Sequence, residues 1–150
     1  MKIALIGYGK MGKAIEEIAL SRGHEIVLRV GIENLEDNTP EKIRKADLAI
    51  EFTGPDSAFD NIMLCLATGV PVVSGSTGWL HRLEEVRAFV RSNGHTFLYA
   101  SNFSVGVNIF FEVNKRLAAL MAPHPDYDVR ITEVHHTEKR DAPSGTAITL

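Results

Sequence analysis

The chain has 150 residues, of which 45% are hydrophobic and 23% are charged, and this composition excludes general disorder. With 19 acidic residues against 16 basic ones, the formal charge of −3 gives no general attraction to nucleic acid or to an anionic membrane surface. The single cysteine, Cys65, excludes a disulfide within the chain. The sequence has no run of about 18 apolar residues, the length that a membrane-spanning helix needs. We therefore expect a cytoplasmic protein that binds anions only at local sites.

Apolar runs and helical patterns alternate through the first hundred residues. Residues 2–6 form a continuous aliphatic run, as expected for a strand buried on both faces of a parallel sheet, and an amphipathic helix follows. Strands that alternate with helices predict an α/β fold with a doubly wound, parallel Rossmann-type sheet. The same patterns predict further strands at 25–30, 47–52, 70–74 and 96–100, and helices at 40–46, 56–68 and 80–92.

A long helix is predicted over residues 105–121. Residues 122–126 contain two prolines that no regular element accommodates, so we place a domain boundary there. Beyond it, residues 128–136 alternate in the manner of a strand. These patterns predict a first domain over residues 1–122 and the beginning of a second domain, with a sheet of its own, over residues 123–150.

The segment between the first strand and the first helix is rich in glycine. Gly7, Gly9 and Gly12, with Lys10 and Met11 between them, permit a tight turn, close approach of the backbone to a pyrophosphate and close packing of the helix. The first amides and the dipole of the helix would then bind the phosphates. A purely structural turn is the alternative, but the context of strand, turn and helix favours a dinucleotide site.

A carboxylate that binds the cofactor ribose is expected at the carboxyl end of the second strand. Glu33 follows that end, whereas Glu25 stands at the start of the strand. A carboxylate accepts hydrogen bonds from ribose hydroxyls and repels a 2′-phosphate, so Glu33 mildly favours NADH over NADPH. Lys10 and Lys13 could still attract that phosphate, which leaves both cofactors open. The alternative is that Glu33 is only a solvated loop charge.

Residues 133–147 concentrate ionisable and polar side chains before a predicted helix start. Hydroxyls and free amides at such a start, with a lysine ammonium nearby, suit a carboxylated substrate, and histidines exchange protons near neutral pH. We predict no metal site, because adjacent strand residues face opposite sides and no third ligand is evident. A polar loop with one hydrogen-bonded histidine is the alternative. The residues concerned are His135, His136, Lys139, Ser144, Gly145 and Thr146.

This segment resembles the signature of a known enzyme family. It reads Glu-Val-His-His-x-x-Lys-x-Asp-Ala-Pro-Ser-Gly-Thr-Ala, which is similar to the signature of the dihydrodipicolinate reductase family. Residues 102–108, residues 75–78 and the glycine loop fall in that family's order and spacing, so the resemblance covers essentially the whole chain. It implies NAD(P)H-dependent reduction of 4-hydroxy-tetrahydrodipicolinate (dihydrodipicolinate) to tetrahydrodipicolinate, on the route to diaminopimelate and lysine.

The resemblance implies that residues 1–122 form a dinucleotide-binding domain and that residues 123–150 begin a substrate-binding, catalytic α+β domain with a mixed sheet. It also implies roles for particular residues. His135 and Lys139 would be the proton-donating pair, and the substrate, a small heterocycle with two carboxylates, would be held by His136, Lys139, Ser144, Gly145 and Thr146. Family members commonly assemble as homotetramers through their second domains. Besides Gly7, Gly9, Lys10, Met11, Gly12 and Glu33, the implied cofactor contacts are Thr53, Gly75, Ser76, Thr77, Ser101, Asn102 and Phe103.

Three departures from the family pattern bear on this interpretation. Asn34 follows Glu33 where members often have an arginine that can meet a 2′-phosphate, and Ser76 replaces the more usual threonine. Family members also continue well past residue 150, so we expect the second domain to be incomplete here. That length supports one alternative, a non-catalytic or truncated module that binds NAD(P)H. The other alternative is a different reductase on the same nucleotide domain, against which the segment 133–147 argues.

Overall fold

The computed structural model describes residues 1–135, 137 and 142–150. The chain divides into two compact units, residues 1–100 and residues 101–150. The predicted domain boundary after residue 122 stays a prediction. In the described part of the chain, no helix has the length and apolar character needed to span a membrane.

The first unit is a parallel sheet with helices in the crossovers, which confirms the predicted fold class. Its strands are joined in the order β2, β1, β3, β4, β5, and the neighbouring pairs are all parallel. The strands are β1 (Lys2–Ile6), β2 (Glu25–Val30), β3 (Leu48–Glu51), β4 (Val72–Ser74) and β5 (Phe97–Tyr99). The helices of this unit are α1 (Lys10–Ser21), α2 (Pro40–Ile43), α3 (Ala58–Ala67) and α4 (Leu83–Asn93).

The core of this unit lies between the sheet and its helices. Cys65 of α3 is fully buried, and burial raises the pKa of its thiol to about 12, with a smaller contribution from the charge of Glu51. Trp79 is also fully buried, and its indole N–H donates to the carbonyl of Ser76 at 2.8 Å. This hydrogen bond explains how the indole N–H of so large a ring is accommodated in the core.

Three helices are shorter than their patterns predicted. The helix predicted over residues 56–68 spans only Ala58–Ala67 in α3. The segment predicted as a helix from residue 80 begins as a 3₁₀ turn, Leu80–Arg82, and becomes α-helical only in α4. The helix predicted over 40–46 ends at Ile43 in α2, where Thr39 caps the amino end through a hydrogen bond from the Lys42 amide at 3.4 Å.

The second unit contains α5 (Val105–Met121), which has the predicted bounds, and the short helix α6 (Gly145–Thr149). The strand predicted over residues 128–136 is wrong for the part that the structure describes, because residues 128–135 form no regular element. Alternation alone does not make a strand, since a strand needs a neighbouring strand to complete its hydrogen bonds. None of the described residues of this unit provides such a neighbour.

Candidate functional site

The glycine loop makes a sharp turn between β1 and α1. Gly7 has a positive φ of 103°, and a Cβ there would lie 2.1 Å from the carbonyl oxygen of Phe52. A Cβ on Gly12 would lie 2.4 Å from the carbonyl oxygen of Gly7, so α1 packs directly on the turn. A Cβ on Gly9 would meet nothing within 4 Å. Only Gly9, of these three, faces open space, so a ligand can approach the backbone there.

The amino end of α1 is available to an anion. The first amides of a helix lack partners within the helix, and among the described residues no side chain caps this end and no acidic residue lies in its first turn. Together with the helix dipole, these amides form the kind of end that binds phosphate. The structure therefore has the anion-binding geometry that the glycine pattern predicted.

A cavity of about 650 Å³ opens at this loop, at the carboxyl ends of three strands. The volume lies within the usual range for small-molecule and cofactor sites, and the position is the one at which doubly wound sheets bind ligands. Its lining comes from the glycine loop, from the loop after β2 and from the loop between β3 and α3. The lining residues include Gly7, Tyr8, Gly9, Lys13, Gly31, Glu33, Asn34, Phe52, Thr53, Ser57 and Asn61.

The loop after β2 is held by Asn34. Its side-chain oxygen accepts from the Gly31 amide at 2.8 Å, and its Nδ2 donates to the Arg29 carbonyl at 2.8 Å and to Asp37 at 2.7 Å. Asn34 therefore has a structural role where family members often have an arginine. Glu33 is exposed and lines the cavity, and its role as the ribose partner stays a prediction.

A second polar cluster, which the sequence did not predict, ties the glycine loop to the sheet. The Tyr8 hydroxyl donates to Glu16 of α1, and the Arg29 Nε of β2 donates to the same carboxylate at 2.9 Å. The hydrogen bonds from Arg29 and from Tyr8 lower the pKa of Glu16, and the bond to Glu16 raises the pKa of Tyr8. Tyr8 lines the cavity, so this cluster fixes one of its walls.

This cluster gives a pH-dependent prediction. We expect Glu16→Gln to lower the free energy of unfolding by about 1 kcal/mol at pH 7, because charge-assisted hydrogen bonds are lost. The pKa of Glu16 is lower in the folded chain than its ordinary value of 4.5, so its contribution is present above that value and lost as the pH falls through the lowered pKa. Urea unfolding of both proteins at pH 7 and pH 3 should give a smaller difference at pH 3. The exposed neighbour Glu17 supplies the control Glu17→Gln, which should show no such difference.

Sequence reasoning also missed the buried carboxylate of Glu51, the last residue of β3. Glu51 is 0% exposed. Its Oε1 accepts from the Thr53 amide at 2.8 Å, the Thr53 hydroxyl at 2.5 Å and the Ser76 hydroxyl at 2.7 Å, and its Oε2 accepts from the Ser74 hydroxyl at 2.5 Å. One signal could have found it: a carboxylate that ends an apolar run predicted to be buried on both faces must obtain donors from its neighbours.

These contacts bring together two of the predicted cofactor residues, since the Thr53 amide also donates to the Ser76 hydroxyl at 2.8 Å. Gly75 packs so closely on the ring of Phe52 that a Cβ there would lie 2.1 Å from a ring carbon. Thr77 is half-buried beside them. The predicted cofactor contacts of Thr53, Gly75, Ser76 and Thr77 themselves stay predictions.

In the second unit, two of the predicted site residues lie close to Glu133. The Ser144 amide donates to Glu133 Oε1 at 2.9 Å, and His135 Nδ1 lies 3.7 Å from Glu133 Oε2. Ser144 is buried, and its hydroxyl caps α6 by accepting from the Ala147 amide at 3.1 Å. Gly145 and Thr146 form the first turn of α6. His136 and Lys139 lie outside the described residues.

The predicted cofactor residues of the second unit precede α5. The Asn102 side chain accepts from the Ser104 amide at 2.8 Å, and Ser104 caps α5. Ser101 is half-buried, and Phe103 is exposed beside an apolar groove along α5. Among the residues that the structure describes, no three His, Cys, Asp or Glu side chains converge as they would around a metal ion.

The parallel sheet, the glycine turn and the cavity at the free end of α1 define a doubly wound nucleotide-binding protein of the Rossmann class. Residues 1–103 match the family model for dihydrodipicolinate reductase, N-terminus, and residues 106–150 match the model for its C-terminus. The chain belongs to the dihydrodipicolinate reductase family, which confirms the resemblance seen in residues 133–147.

Individual relatives agree with this assignment. The chain is 50% identical over 152 residues to 4-hydroxy-tetrahydrodipicolinate reductase of Christiangramia forsetii, covering 100% of this chain and 62% of that protein. It is 40% identical over 121 residues to the reductase of the same name from Methanobrevibacter smithii, covering 80% of this chain and 42% of that one. The chain therefore spans less than two thirds of the length of these relatives.

Solved structures give the same result. The dipicolinate-bound dihydrodipicolinate reductase of Paenisporosarcina sp. TG-14 superposes with a TM-score of 0.67 at 29% identity, covering 99% of this chain and 63% of that one. A putative homoserine dehydrogenase of Archaeoglobus fulgidus superposes with a TM-score of 0.52 at 17% identity, covering 66% and 42%. The second similarity shows a shared fold alone.

Proposed function

We propose that this chain supplies the nucleotide-binding domain and the first part of the substrate domain of an NAD(P)H-dependent 4-hydroxy-tetrahydrodipicolinate (dihydrodipicolinate) reductase. The observation that carries the proposal is the uncapped amino end of α1, which opens on a cavity of about 650 Å³ in a chain that matches both family models. Cytoplasmic location and assembly as a homotetramer are predictions from the sequence and from the family resemblance.

The residues present fit a dinucleotide. Open space at Gly9, the free amides of α1 and the Lys13 ammonium suit a pyrophosphate, and Glu33 at the cavity suits a ribose hydroxyl. NAD(P)H supplies a hydride when it is bound. Glu33 favours NADH and Lys13 leaves NADPH open, so the proposal includes both cofactors.

The substrate proposal rests on the second unit. Dipicolinate, named in the related structure, is a small heterocycle with two carboxylates, which the Ser144 hydroxyl, the amides of Gly145 and Thr146, His136 and Lys139 suit. 4-Hydroxy-tetrahydrodipicolinate loses water to give dihydrodipicolinate, and reduction then adds one hydride and one proton to the latter. The atom that receives the proton carries developing negative charge, so a cationic acid supplied by His135 or Lys139 lowers the barrier.

The test follows absorbance at 340 nm, the band of the reduced cofactor, with each cofactor and with substrate made in situ from pyruvate and aspartate semialdehyde. Consumption that requires both precursors supports the reductase and ranks NADH against NADPH. Binding of NADH without consumption favours the alternative, a module that binds the cofactor without turnover. Binding of neither cofactor contradicts the proposal.

We expect His135→Gln to lower kcat by about a hundredfold, which is the usual contribution of a positioned general acid, while the affinity for NADH stays unchanged. The exposed His124 of the same unit offers the control variant His124→Gln, which should keep wild-type turnover. The measurement is the 340 nm assay together with a fluorescence titration of NADH. Unchanged turnover of His135→Gln would refute a chemical role for this histidine.

A further inference from the structure

We propose that Glu51 is a positioning residue that sets the direction of hydrogen bonding where Thr53 lines the nucleotide cavity, acting through the Thr53 hydroxyl. This inference rests on the proposed function, because it takes NAD(P)H as the ligand of the cavity. It concerns a residue that does not line the cavity itself: Glu51 is fully buried, whereas Thr53 is exposed and part of the lining.

The side chains around Glu51 direct their protons toward it. A carboxylate only accepts hydrogen bonds, and a hydroxyl has a single proton to donate. The hydroxyls of Thr53, Ser74 and Ser76 all lie within 2.5 to 2.7 Å of the Glu51 oxygens, so each directs its proton toward Glu51. The Thr53 amide completes the set at 2.8 Å. Four donors on one buried group explain how the charge is accommodated away from water.

The bond to Glu51 decides which hydrogen bonds the Thr53 hydroxyl can make with a ligand. With its proton directed to Glu51, the Thr53 hydroxyl presents only lone pairs to the cavity. One of these faces the Asn61 amide at 3.4 Å, which is a long contact. A ligand group that meets Thr53 must therefore be a donor, such as a ribose hydroxyl or a carboxamide N–H. A phosphate oxygen, which is an acceptor, is disfavoured there.

The free amides of α1 and the Lys13 ammonium suit anions, whereas the Thr53 hydroxyl, bonded to the buried Glu51, suits donors. A dinucleotide has phosphates in its middle and hydroxyl donors on either side. Different parts of the cavity lining therefore suit different parts of a dinucleotide, and Glu51 sets the preference of the part formed by Thr53.

The test is a double-mutant cycle for NADH binding to the 150-residue chain. Glu51→Gln replaces one acceptor oxygen with an NH₂ donor, so at least one of the neighbouring hydroxyls must turn its proton away. Thr53→Val removes the hydroxyl and keeps the shape. We expect each variant to raise the Kd for NADH by about tenfold, the value of one good hydrogen bond. The double variant should also be weakened by about tenfold instead of a hundredfold, because Glu51 acts through Thr53.

Ser74→Ala is the matched control. Ser74 also donates to Glu51 but does not line the cavity, so this variant loses one hydrogen bond of the same carboxylate. We expect a lower Tm with a Kd for NADH within about twofold of wild type. If Ser74→Ala raises the Kd as much as Glu51→Gln does, or if the effects of Glu51→Gln and Thr53→Val multiply, Glu51 is only structural and the inference fails.

Failure of the proposed function gives a different result. If the wild-type chain binds neither NADH nor NADPH, the function is wrong and the inference falls with it. If the wild-type chain binds NADH and Glu51→Gln binds it equally well, the function stands and the inference alone is overturned. The amide resonance of Thr53 in the ¹H–¹⁵N spectrum reports on folded Glu51→Gln directly, since this amide donates to the carboxylate in the wild-type chain. An unshifted resonance would also overturn the inference.

Discussion

Gly7→Ala should reduce the free energy of unfolding by about 4 kcal/mol or more, which is a large part of the stability of an ordinary domain. Two costs combine at this position. The positive φ of 103° is strained for any residue with a Cβ, and that Cβ would lie 2.1 Å from the backbone oxygen of Phe52, which cannot move without displacing the end of β3. Urea unfolding followed by circular dichroism measures the loss.

Gly23→Ala separates the two costs. Gly23 also has a positive φ, 76°, but a Cβ there would meet nothing within 4 Å. This variant should therefore lose only about 1 to 2 kcal/mol, the cost of the left-handed backbone. Equal losses for the two variants would contradict the close approach of Gly7 to Phe52.

Gly9→Ala should have the opposite profile, with nucleotide binding lost and folding retained. Gly9 has an ordinary negative φ of −89°, and a Cβ there contacts no other part of the chain. We expect the free energy of unfolding to change by less than about 0.5 kcal/mol. The added methyl group would occupy the space in which a pyrophosphate approaches the backbone, so the Kd for NADH should rise by at least about tenfold.

Gly106→Ala is the control for this prediction. Gly106 lies in the first turn of α5, outside the glycine loop, and a Cβ there would be 3.9 Å from the nearest atom, the Ser104 oxygen. It should bind NADH as the wild-type chain does. If Gly9→Ala also does so, the cofactor does not approach the backbone at Gly9 and the site must lie elsewhere in the cavity.

Local patterns predicted most of the fold. The bounds of β1, β2 and α5 agree with prediction to the residue, because apolar runs, helical spacing and terminating residues all lie within a few positions of one another. The glycine turn was likewise predictable, because its chemistry is contiguous. The strand predicted over residues 128–136 was wrong for the residues that the structure describes. Alternation is a local pattern, but a strand also needs a partner strand, which a local pattern does not reveal.

The partners of the buried residues of the candidate site could not be predicted, because they are distant in sequence. Glu51 takes donors from Ser74 and Ser76, which are 23 and 25 residues away, and Arg29 reaches Glu16 across 13 residues. No spacing rule connects such positions until the order of the strands is known. Once β3 and β4 are neighbours, Glu51 and Ser74 stand side by side in the register of the sheet.

Because Cys65 is buried, the rate at which its thiol is labelled measures local opening of the chain. Its thiol is sealed in the core and ionises only near pH 12, so a thiol reagent in neutral solution reacts when the layer of α3 parts from the sheet. Since the chain has no other cysteine, the labelling rate measures how often that layer opens, without any engineered probe. A bound nucleotide that joins the loops of neighbouring strands should therefore slow the labelling of Cys65 without contacting it.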